Sequence, residues 1–407
     1  MPVVVMKPNA SPYIQKPENS PRSAAKHVIV LGAGASATSG YPVAEELRKL
    51  LANPERLREK VKEKVKEKYE QVKPGLDYSL KVLDRSIRLF RNGGFATVDE
   101  FIRLAGRHRE TEAEYLRRLL SLCFAIENPE ASFEPSDYYR FIQRLFMGDL
   151  VSLRADIAVL TFNYDPYLEF LLRRAYETRC EAKGQNPSDV VVDAILSGFQ
   201  SRLTKKLAEP GAFCLLKLHG TCALPSCDEQ DDPCPTHDEL FGPDPVIRFR
   251  TVSGTRFADV GFSPIFFPWE IITSGGSFVG KAQFRRANHR QSGSDTEFFP
   301  LFKTIWERAR KEVQGAARLS FVGLSMHDYL EPGVRFLLKG KRGHVDLVVA
   351  DIKPQKPVER LDRWLRGFCP DLRWTTPIRV RPGLGDFIQE EMEPLQVHSE
   401  TGGSSMH

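Results

Sequence analysis

The sequence contains no apolar run that could cross a membrane, and it carries little net charge. A membrane-spanning helix needs about 20 consecutive apolar residues, and no segment of this chain approaches that length. The formal charge of +5 over 407 residues is too small to indicate a dedicated nucleic-acid-binding protein. Residues 1–26 lack the basic start, apolar middle and cleavage site of a signal peptide. We therefore expect a cytoplasmic protein without membrane contact, and direct contact with nucleic acid stays open.

Cysteine is also scarce, and its spacing does not favour a metal site. The seven cysteines are an odd number and most lie in apolar stretches, which fits reduced, buried thiols. Structural zinc sites commonly contain a C-x-x-C pair. One group of candidate ligands lacks such a pair, so we expect neither zinc nor another metal there and leave its role open; the group is Cys222, Cys227, Cys234 and His237.

Short apolar, β-branched runs alternate along the chain with segments of helical periodicity. This alternation is typical of a parallel sheet with helices on both faces. We predict an α/β fold, a Rossmann-like doubly wound parallel sheet with a large helical insertion. The predicted strands are 27–31, 157–162, 213–218, 318–323, 345–350 and 378–380.

The pattern predicts one domain over residues 27–395, between a flexible N-terminal tail (1–26) and a disordered C-terminal tail (396–407). The helical insertion covers about 53–150 and begins with a lysine- and glutamate-rich stretch, 54–72, that predicts one solvated helix. Residues 221–294 are rich in proline, glycine and polar side chains. We expect them to form an irregular loop region.

Polar or glycine-rich segments directly follow four of the predicted strands. Ligands of doubly wound sheets bind outside the carboxyl ends of the strands, so these segments predict one common site. They are 32–36, 163–165, 219–220 and 323–328.

The first of these segments, residues 32–37, fits the pattern G-x-G-x-x-A between a strand and a helix. Such a turn lets the backbone approach a dinucleotide pyrophosphate, and we expect Ser36 and the backbone of residues 33–36 to meet phosphates. A tight turn without a ligand is the alternative. A dehydrogenase would present a ribose-binding acid on a second strand about 20 residues later. Here that region is the charged stretch 54–72, so a standard dehydrogenase site is excluded.

The motifs GAGAS (32–36), GYP (40–42), TFNYD (161–165), KLHG (217–220) and FVGLSMHD (321–328) occur in the order found in sirtuins. Over about residues 27–352 the chain resembles the sirtuin-like NAD-cleaving domains of bacterial antiphage defence systems. It departs from protein-deacylating sirtuins, because the usual Asp-Phe-Arg element and a complete four-cysteine module are missing.

The resemblance implies that NAD is bound as a substrate, with Asn163 and His219 as catalytic residues and Asp165 beside them. Asn163 and Asp165 are also common types of residue in turns and helix caps, and those alternatives stay open. Asp328 is a ribose ligand or a helix cap, and Asp351 is a ribose ligand or a solvated acid at a strand end. The residues expected to contact the dinucleotide are Gly32, Ala33, Gly34, Ala35, Ser36, Pro42, Thr161, Phe162, Gly220, Gly323, Ser325, Asp328 and Asp351.

The implied activity is that of an NAD glycohydrolase, which releases nicotinamide and ADP-ribose and depletes NAD in antiviral defence. The alternatives are a module that binds NAD or ADP-ribose without turnover, and an NAD-dependent deacylase. Because an unrestrained NAD hydrolase would kill its host, we expect control by homo-oligomer formation or by a separate sensor, such as a HerA-type hexameric ATPase or an Argonaute-like protein. The trigger, the stoichiometry and the choice between hydrolysis and cyclisation are not readable from the residues.

Overall fold

The structure is a computed structural model. It describes residues 27–37, 42–66, 69–95, 97–105, 116, 119–120, 123–124, 136–148, 151–163, 165, 167–187, 213–220, 248–252, 255–259, 268–278 and 295–392. The two predicted tails, the motif residues 40–41 and the group of Cys222, Cys227, Cys234 and His237 lie outside the described residues.

The described strands agree closely with the predicted ones where the apolar runs are long. They are β1 (His27–Leu31), β2 (Ile157–Thr161), β3 (Cys214–Lys217), β4 (Arg248–Val252), β5 (Thr255–Asp259), β6 (Arg318–Val322), β7 (Gly343–Ala350), β8 (Leu372–Trp374) and β9 (Arg379–Arg381). The described helices are α1 (Ala33–Ser36), α2 (Ala44–Leu51), α3 (Pro54–Val65), α4 (Tyr69–Asn92), α5 (Val98–Ala105), α6 (Asp137–Arg144), α7 (Tyr167–Ala182), α8 (Pro268–Ile271), α9 (Asp295–Gly315), α10 (Glu331–Leu338), α11 (Gln355–Phe368) and α12 (Leu384–Glu391).

Seven of the strands form one parallel sheet in the order β3-β2-β1-β6-β7, and β8 and β9 pair with the two ends of β7. The chain runs outward from β1 through β2 to β3 and then returns to β6 on the other side of β1. The switch in strand order therefore lies between β1 and β6. The prediction of a Rossmann-like doubly wound sheet is confirmed, and ligands of such sheets bind at this switch point.

The sheet is buried on both faces, which explains why its central strands are continuous apolar runs. Every residue of β1 and β2 is buried. On β1, Ile29 and Leu31 face a core that includes α2 to α7 and α12, whereas Val28 and Val30 face a core that includes α8 to α11. Alternate side chains of one strand thus pack against two helical layers.

Helix α3, which lies between β1 and β2, begins at a recognisable cap. Asn53 accepts a hydrogen bond from the Arg56 amide at 3.3 Å and precedes a proline at the start of α3. The prediction of one helix over 54–72 is wrong, because α3 ends at Val65 and Lys66 has a φ of 45°. A residue with this left-handed backbone conformation cannot continue a right-handed helix. No helix of the described residues has the length and the apolar content needed to cross a bilayer.

Two further elements lie outside the predicted pattern. Strands β4 and β5 pair antiparallel inside the region that was predicted to be irregular, so that expectation is corrected for residues 248–252 and 255–259. Strand β8 is only three residues long and has one buried position. Short strands with many polar residues carry too little periodicity to be recognised.

His27 begins β1 and is buried at the junction with β6. Its Nε2 atom lies 2.8 Å from Oγ of Ser320 on the neighbouring strand. Burial, together with the positive charges of Arg318 and Arg154, lowers the pKa of His27 from 6.5 to about 3. The imidazole therefore stays neutral in the folded protein at pH values where an unfolded histidine is charged.

We expect acid to destabilise the protein through His27. Between pH 6.5 and about 3 the unfolded chain binds a proton that the folded chain does not, so the free energy of unfolding falls as the pH falls. One pKa unit corresponds to about 1.4 kcal/mol, and the loss from this residue at about pH 5 is about 2 kcal/mol. Urea unfolding at about pH 7 and about pH 5 should show a loss smaller by this amount in His27→Gln.

The matched control for this measurement is His344→Gln, because His344 is an exposed histidine near the start of β7. It should lose as much stability on acidification as the wild type. Equal losses in His27→Gln and the wild type would contradict the role of His27.

Candidate functional site

The glycine turns after β1 and β6 touch each other through their backbones. The Gly32 amide donates to the Val322 carbonyl and the Gly34 amide donates to the Gly323 carbonyl, both at 2.9 Å. A Cβ atom on Gly323 would lie 2.2 Å from the nitrogen of Ala35, and one on Gly32 would lie 2.6 Å from the carbonyl oxygen of Gly323. Glycine is required at both turns, and together they form the floor of the crevice at the switch point.

The other residues predicted to meet the nucleotide differ in exposure. In the first turn Ala33 and Gly34 are exposed, whereas Ala35 and Ser36 are buried. Pro42 is buried just before α2. The exposed backbone of residues 33–34 is therefore the part of this turn that a ligand can reach.

The strand ends on the far side of the crevice carry two acids and one serine from the predicted set. Ser325 is exposed. The Asp328 carboxylate lies 4.0 Å from Arg360 and 3.7 Å from Arg363. Asp351 accepts a hydrogen bond from the amide of Lys353 at 2.8 Å, so one of its oxygens stabilises the turn after β7.

Asn163 is held by hydrogen bonds to two strand-end segments. Its backbone amide donates to Oγ1 of Thr161 at 3.0 Å, and its side-chain Nδ2 donates to Oγ of Ser36 at 3.3 Å. Asn163 is 5% exposed. Within the described part of the chain, its Oδ1 atom is buried and accepts no hydrogen bond. The Asn163 side chain also lies beside the phenol of Tyr138 and opposes the rise in the pKa of that phenol. A buried acceptor without a partner is costly to leave unsatisfied, so it marks a place where a ligand or water would donate.

Asp165 links the first glycine turn to helix α7. Its Oδ2 atom accepts from the hydroxyl of Ser36 at 3.2 Å, and its Oδ1 atom accepts from the Tyr167 amide at 3.2 Å. The carboxyl group therefore both orients a neighbouring side chain and caps a helix. Burial raises the pKa of Asp165, and the charge of Lys217 opposes that rise.

Lys217 and Glu169 form a buried ion pair that the sequence reasoning missed. The Nζ atom of Lys217 lies 3.0 Å from Oε1 of Glu169, and their side chains are 0% and 2% exposed. The same ammonium group donates to the backbone carbonyl of Asp165 at 2.5 Å. A sequence signal was present, because a lysine inside an apolar strand must find a buried partner.

His219 follows β3 and is 2% exposed. Its ring packs edge-on against Phe162, the residue before Asn163, with 4.8 Å between ring centroids. Burial lowers the pKa of His219 from 6.5 to about 3, and the backbone of Phe162 opposes this shift. The ring is therefore neutral at physiological pH.

The end of β3 is anchored from the second helical layer. The Trp306 indole nitrogen donates to the Leu218 carbonyl at 3.2 Å, and Gly220 leaves the strand with a φ of 80°. A left-handed residue turns the chain directly after His219. These contacts hold the imidazole at the carboxyl end of the sheet.

Together these residues define a Rossmann-like α/β protein with a polar site beside the crevice at its switch point. Ser36 belongs to the first glycine turn and bonds to Asn163, so the crevice and the polar site are continuous. At this site Asn163 offers a carboxamide oxygen as an acceptor, and His219 is a neutral imidazole. No group of three potential metal ligands occurs among the residues that the structure describes.

No protein-family model and no curated protein sequence matches the chain. Among solved structures, the chain is similar to a triple mutant of a Sir2 homologue in complex with 2'-O-acetyl ADP ribose. The sequence identity is 12%, the match covers 90% of each chain, and the TM-score is 0.33. At this level of similarity the roles of the residues rest on the geometry of the chain itself.

Proposed function

We propose that this protein is an NAD glycohydrolase that cleaves the bond between nicotinamide and ribose. The observation that carries the proposal is the buried, unpartnered Oδ1 atom of Asn163. The Nδ2 atom of the same carboxamide donates to Ser36 beside the glycine crevice. A carboxamide oxygen at this place accepts a hydrogen bond from a ribose hydroxyl or from the attacking water. The ordered motifs GAGAS, TFNYD and KLHG support NAD as the molecule that brings the ribose.

The reaction needs orientation and charge stabilisation more than strong acid catalysis. A water oxygen forms a bond to the anomeric carbon of the ribose, and the bond from that carbon to the pyridinium nitrogen breaks. The bonding electrons neutralise the pyridinium, so nicotinamide leaves as a neutral molecule, and the water loses a proton. Positive charge develops on the ribose, as in other glycoside hydrolyses. Holding water and ribose in line therefore contributes most of the rate.

His219 supplies a second acceptor in this scheme. With its pKa lowered to about 3, the imidazole is a weak base at neutral pH, and it accepts a hydrogen bond rather than storing a proton. The proton is transferred only as the water or ribose hydroxyl becomes acidic in the transition state. Solvent then receives the proton.

The dinucleotide would lie across the switch point. The exposed backbone of residues 33–34 would meet the pyrophosphate, since Gly323 brings β6 close without a side chain. Ser325 and Asp351, after β6 and β7, would face the adenosine ribose. Nicotinamide and its ribose would then lie toward β2 and β3, where Asn163 and His219 are placed.

Purified protein incubated with NAD tests the proposal. Chromatography should show nicotinamide and ADP-ribose in equal amounts, together with loss of NAD. Consumption of NAD only when an acylated peptide is present would identify a deacylase instead. Tight binding of NAD without turnover, in the presence of copurified partners, would identify a binding module.

The proposal includes a role in antiviral defence, with activity released by homo-oligomer formation or by a separate partner. A HerA-type ATPase and an Argonaute-like protein are the two partner classes considered. Copurification from the native operon distinguishes them, and a strictly monomeric, constantly active product would contradict control by assembly.

A further inference from the structure

The ion pair of Lys217 and Glu169 is fully enclosed by the protein, yet the proposed chemistry does not use it. Lys217 comes from β3 and Glu169 from α7, and neither side chain contacts solvent appreciably. Burying two charges is rarely the most stable choice for a core position. Stability therefore does not explain why the pair is buried. The contacts of Lys217 with its neighbours indicate a function for it.

Lys217 joins the polar site through Asp165. Its ammonium group donates to the Asp165 backbone carbonyl at 2.5 Å, which fixes the turn that follows Asn163. Its charge also favours the ionised form of the Asp165 carboxyl group. Among the residues that the structure describes, the other titratable groups beside this carboxylate are Tyr138 from α6 and Tyr167 and Glu169 from α7.

None of those three groups supplies a compensating positive charge. Burial raises the pKa of Tyr138, so this phenol stays neutral. Its ring stacks on Tyr167 with 5.3 Å between centroids. Glu169 adds a second negative charge. Among the described groups around Asp165, the positive charge is that of Lys217.

The ionisation of Asp165 determines where the single hydrogen of Ser36 goes. Two acceptors compete for this hydrogen, the Asp165 carboxylate at 3.2 Å and the Ala33 carbonyl at 3.3 Å. A charged acceptor forms the stronger bond, so an ionised Asp165 takes it. The lone pairs of Ser36 then accept from Asn163, and only the Nδ2 end of that carboxamide can donate.

Building on the proposed function, we propose that Lys217 is a positioning residue. Through Asp165 and Ser36 it holds the carboxamide of Asn163 with Nδ2 toward Ser36 and Oδ1 free to accept from the substrate or water, and Glu169 is its buried counter-ion. If Asp165 becomes neutral, the Ser36 hydrogen can instead donate to Oδ1 of a flipped carboxamide. The orientation of Asn163 is then no longer enforced.

The test replaces the whole ion pair by a neutral pair. Lys217→Met alone leaves the charge of Glu169 buried without a partner and will be poorly folded, so the informative variant is Lys217→Met/Glu169→Gln. We expect this double variant to fold but to lose about 10- to 100-fold in kcat. Its KM for NAD should change by less than about threefold, because Lys217 acts on the orientation of Asn163 rather than on binding.

The matched control is Arg308→Met/Glu312→Gln, which removes an ion pair of 2.6 Å within helix α9. This pair has no contact with Asp165, and its removal should leave kcat unchanged. A folded Lys217→Met/Glu169→Gln protein with the wild-type kcat would overturn the positioning role.

A stability measurement decides the same question without turnover. In the double variant Asp165 binds a proton on folding, so the free energy of unfolding should fall as the pH rises from about 5 to about 8. Adding Asp165→Asn should abolish that slope, whereas in the wild-type background Asp165→Asn should remove a smaller slope, because the charge of Lys217 opposes the rise in the pKa of Asp165. If Asp165→Asn removes the same slope from the wild type and from the double variant, the inference is also overturned.

The two measurements separate this inference from the proposed function. If the wild-type protein does not release nicotinamide from NAD, the proposed function fails, and the unfolding slopes still decide whether Lys217 keeps Asp165 ionised. If the wild type is active and the double variant is equally active, the function stands and the role of Lys217 is rejected.

Discussion

Replacing Asn163 by alanine should lower the rate of NAD cleavage by about 10³-fold while the protein remains folded. The substitution removes the Oδ1 acceptor, and it also removes the Nδ2 donor to Ser36. Ser36 still donates to Asp165, so the first glycine turn keeps its link to that carboxyl group. The loss should therefore appear in kcat, measured from initial rates of nicotinamide release, and not in the thermal stability.

His219→Ala should produce a smaller loss, about 10²-fold. The neutral imidazole contributes a hydrogen bond rather than a stored proton, because the pKa of His219 is lowered to about 3. For the same reason the rate should show no ionisation of this residue near neutral pH.

The matched controls are Asn53→Ala and His344→Ala. Asn53→Ala removes the cap of α3 and should cost about 1 kcal/mol of stability without loss of kcat. His344 is exposed, and its replacement should change neither kcat nor the stability. Full turnover by folded Asn163→Ala and His219→Ala proteins would remove the basis for the catalytic assignment.

Gly323→Ala should be the most destabilising single substitution at the site and should abolish nucleotide binding. The residue has a φ of 61°, and an added Cβ would lie 2.2 Å from the backbone nitrogen of Ala35. The left-handed conformation costs alanine about 1 kcal/mol, and a steric overlap with backbone adds about 1–3 kcal/mol. We expect a total loss of about 2–4 kcal/mol, measured by urea unfolding.

Substitutions at two other glycines separate the cost of the left-handed conformation from the cost of the steric overlap. Gly343 has a φ of 79°, and a Cβ added there would meet no neighbouring atom within 4 Å, so Gly343→Ala should show only the conformational cost. Gly32 has an extended backbone but would place a Cβ 2.6 Å from the Gly323 carbonyl oxygen, so Gly32→Ala should show only the steric cost. If the Gly323→Ala protein is as stable as the Gly343→Ala protein, the glycine turns after β1 and β6 do not lie in close contact.

A strand or helix could be predicted from the sequence where its own residues form a clear pattern. Strand β1 was predicted at His27–Leu31 and lies there, because a strand buried on both faces is a continuous apolar run bounded by a glycine turn. Strand β8 was missed because it is only three residues long, and the antiparallel pair of β4 and β5 was missed because its residues are mostly polar. The end of α3 at Val65 was missed because the lysine-rich pattern continues past it.

For the site, the order of motifs indicated which residues to consider but not how they contact each other. Ser36 was expected to meet phosphates, and the structure shows its hydroxyl between Asp165 and Asn163. The lysine of the KLHG motif was read only as part of a pattern. Its partner, Glu169, lies 48 residues earlier in the chain, and no local periodicity connects the two.

The sequence by itself determined the long apolar strands, the glycine turns and the polar residues at the strand ends, since these depend on apolar periodicity and on the steric freedom of single residues. Only the tertiary structure decided the strand order around the crevice, the path of hydrogen bonds from Lys217 to Asn163, and the neutral state of His219. Ion pairing and desolvation depend on which distant segments exclude water from a side chain, and the residues near it in sequence do not specify those segments.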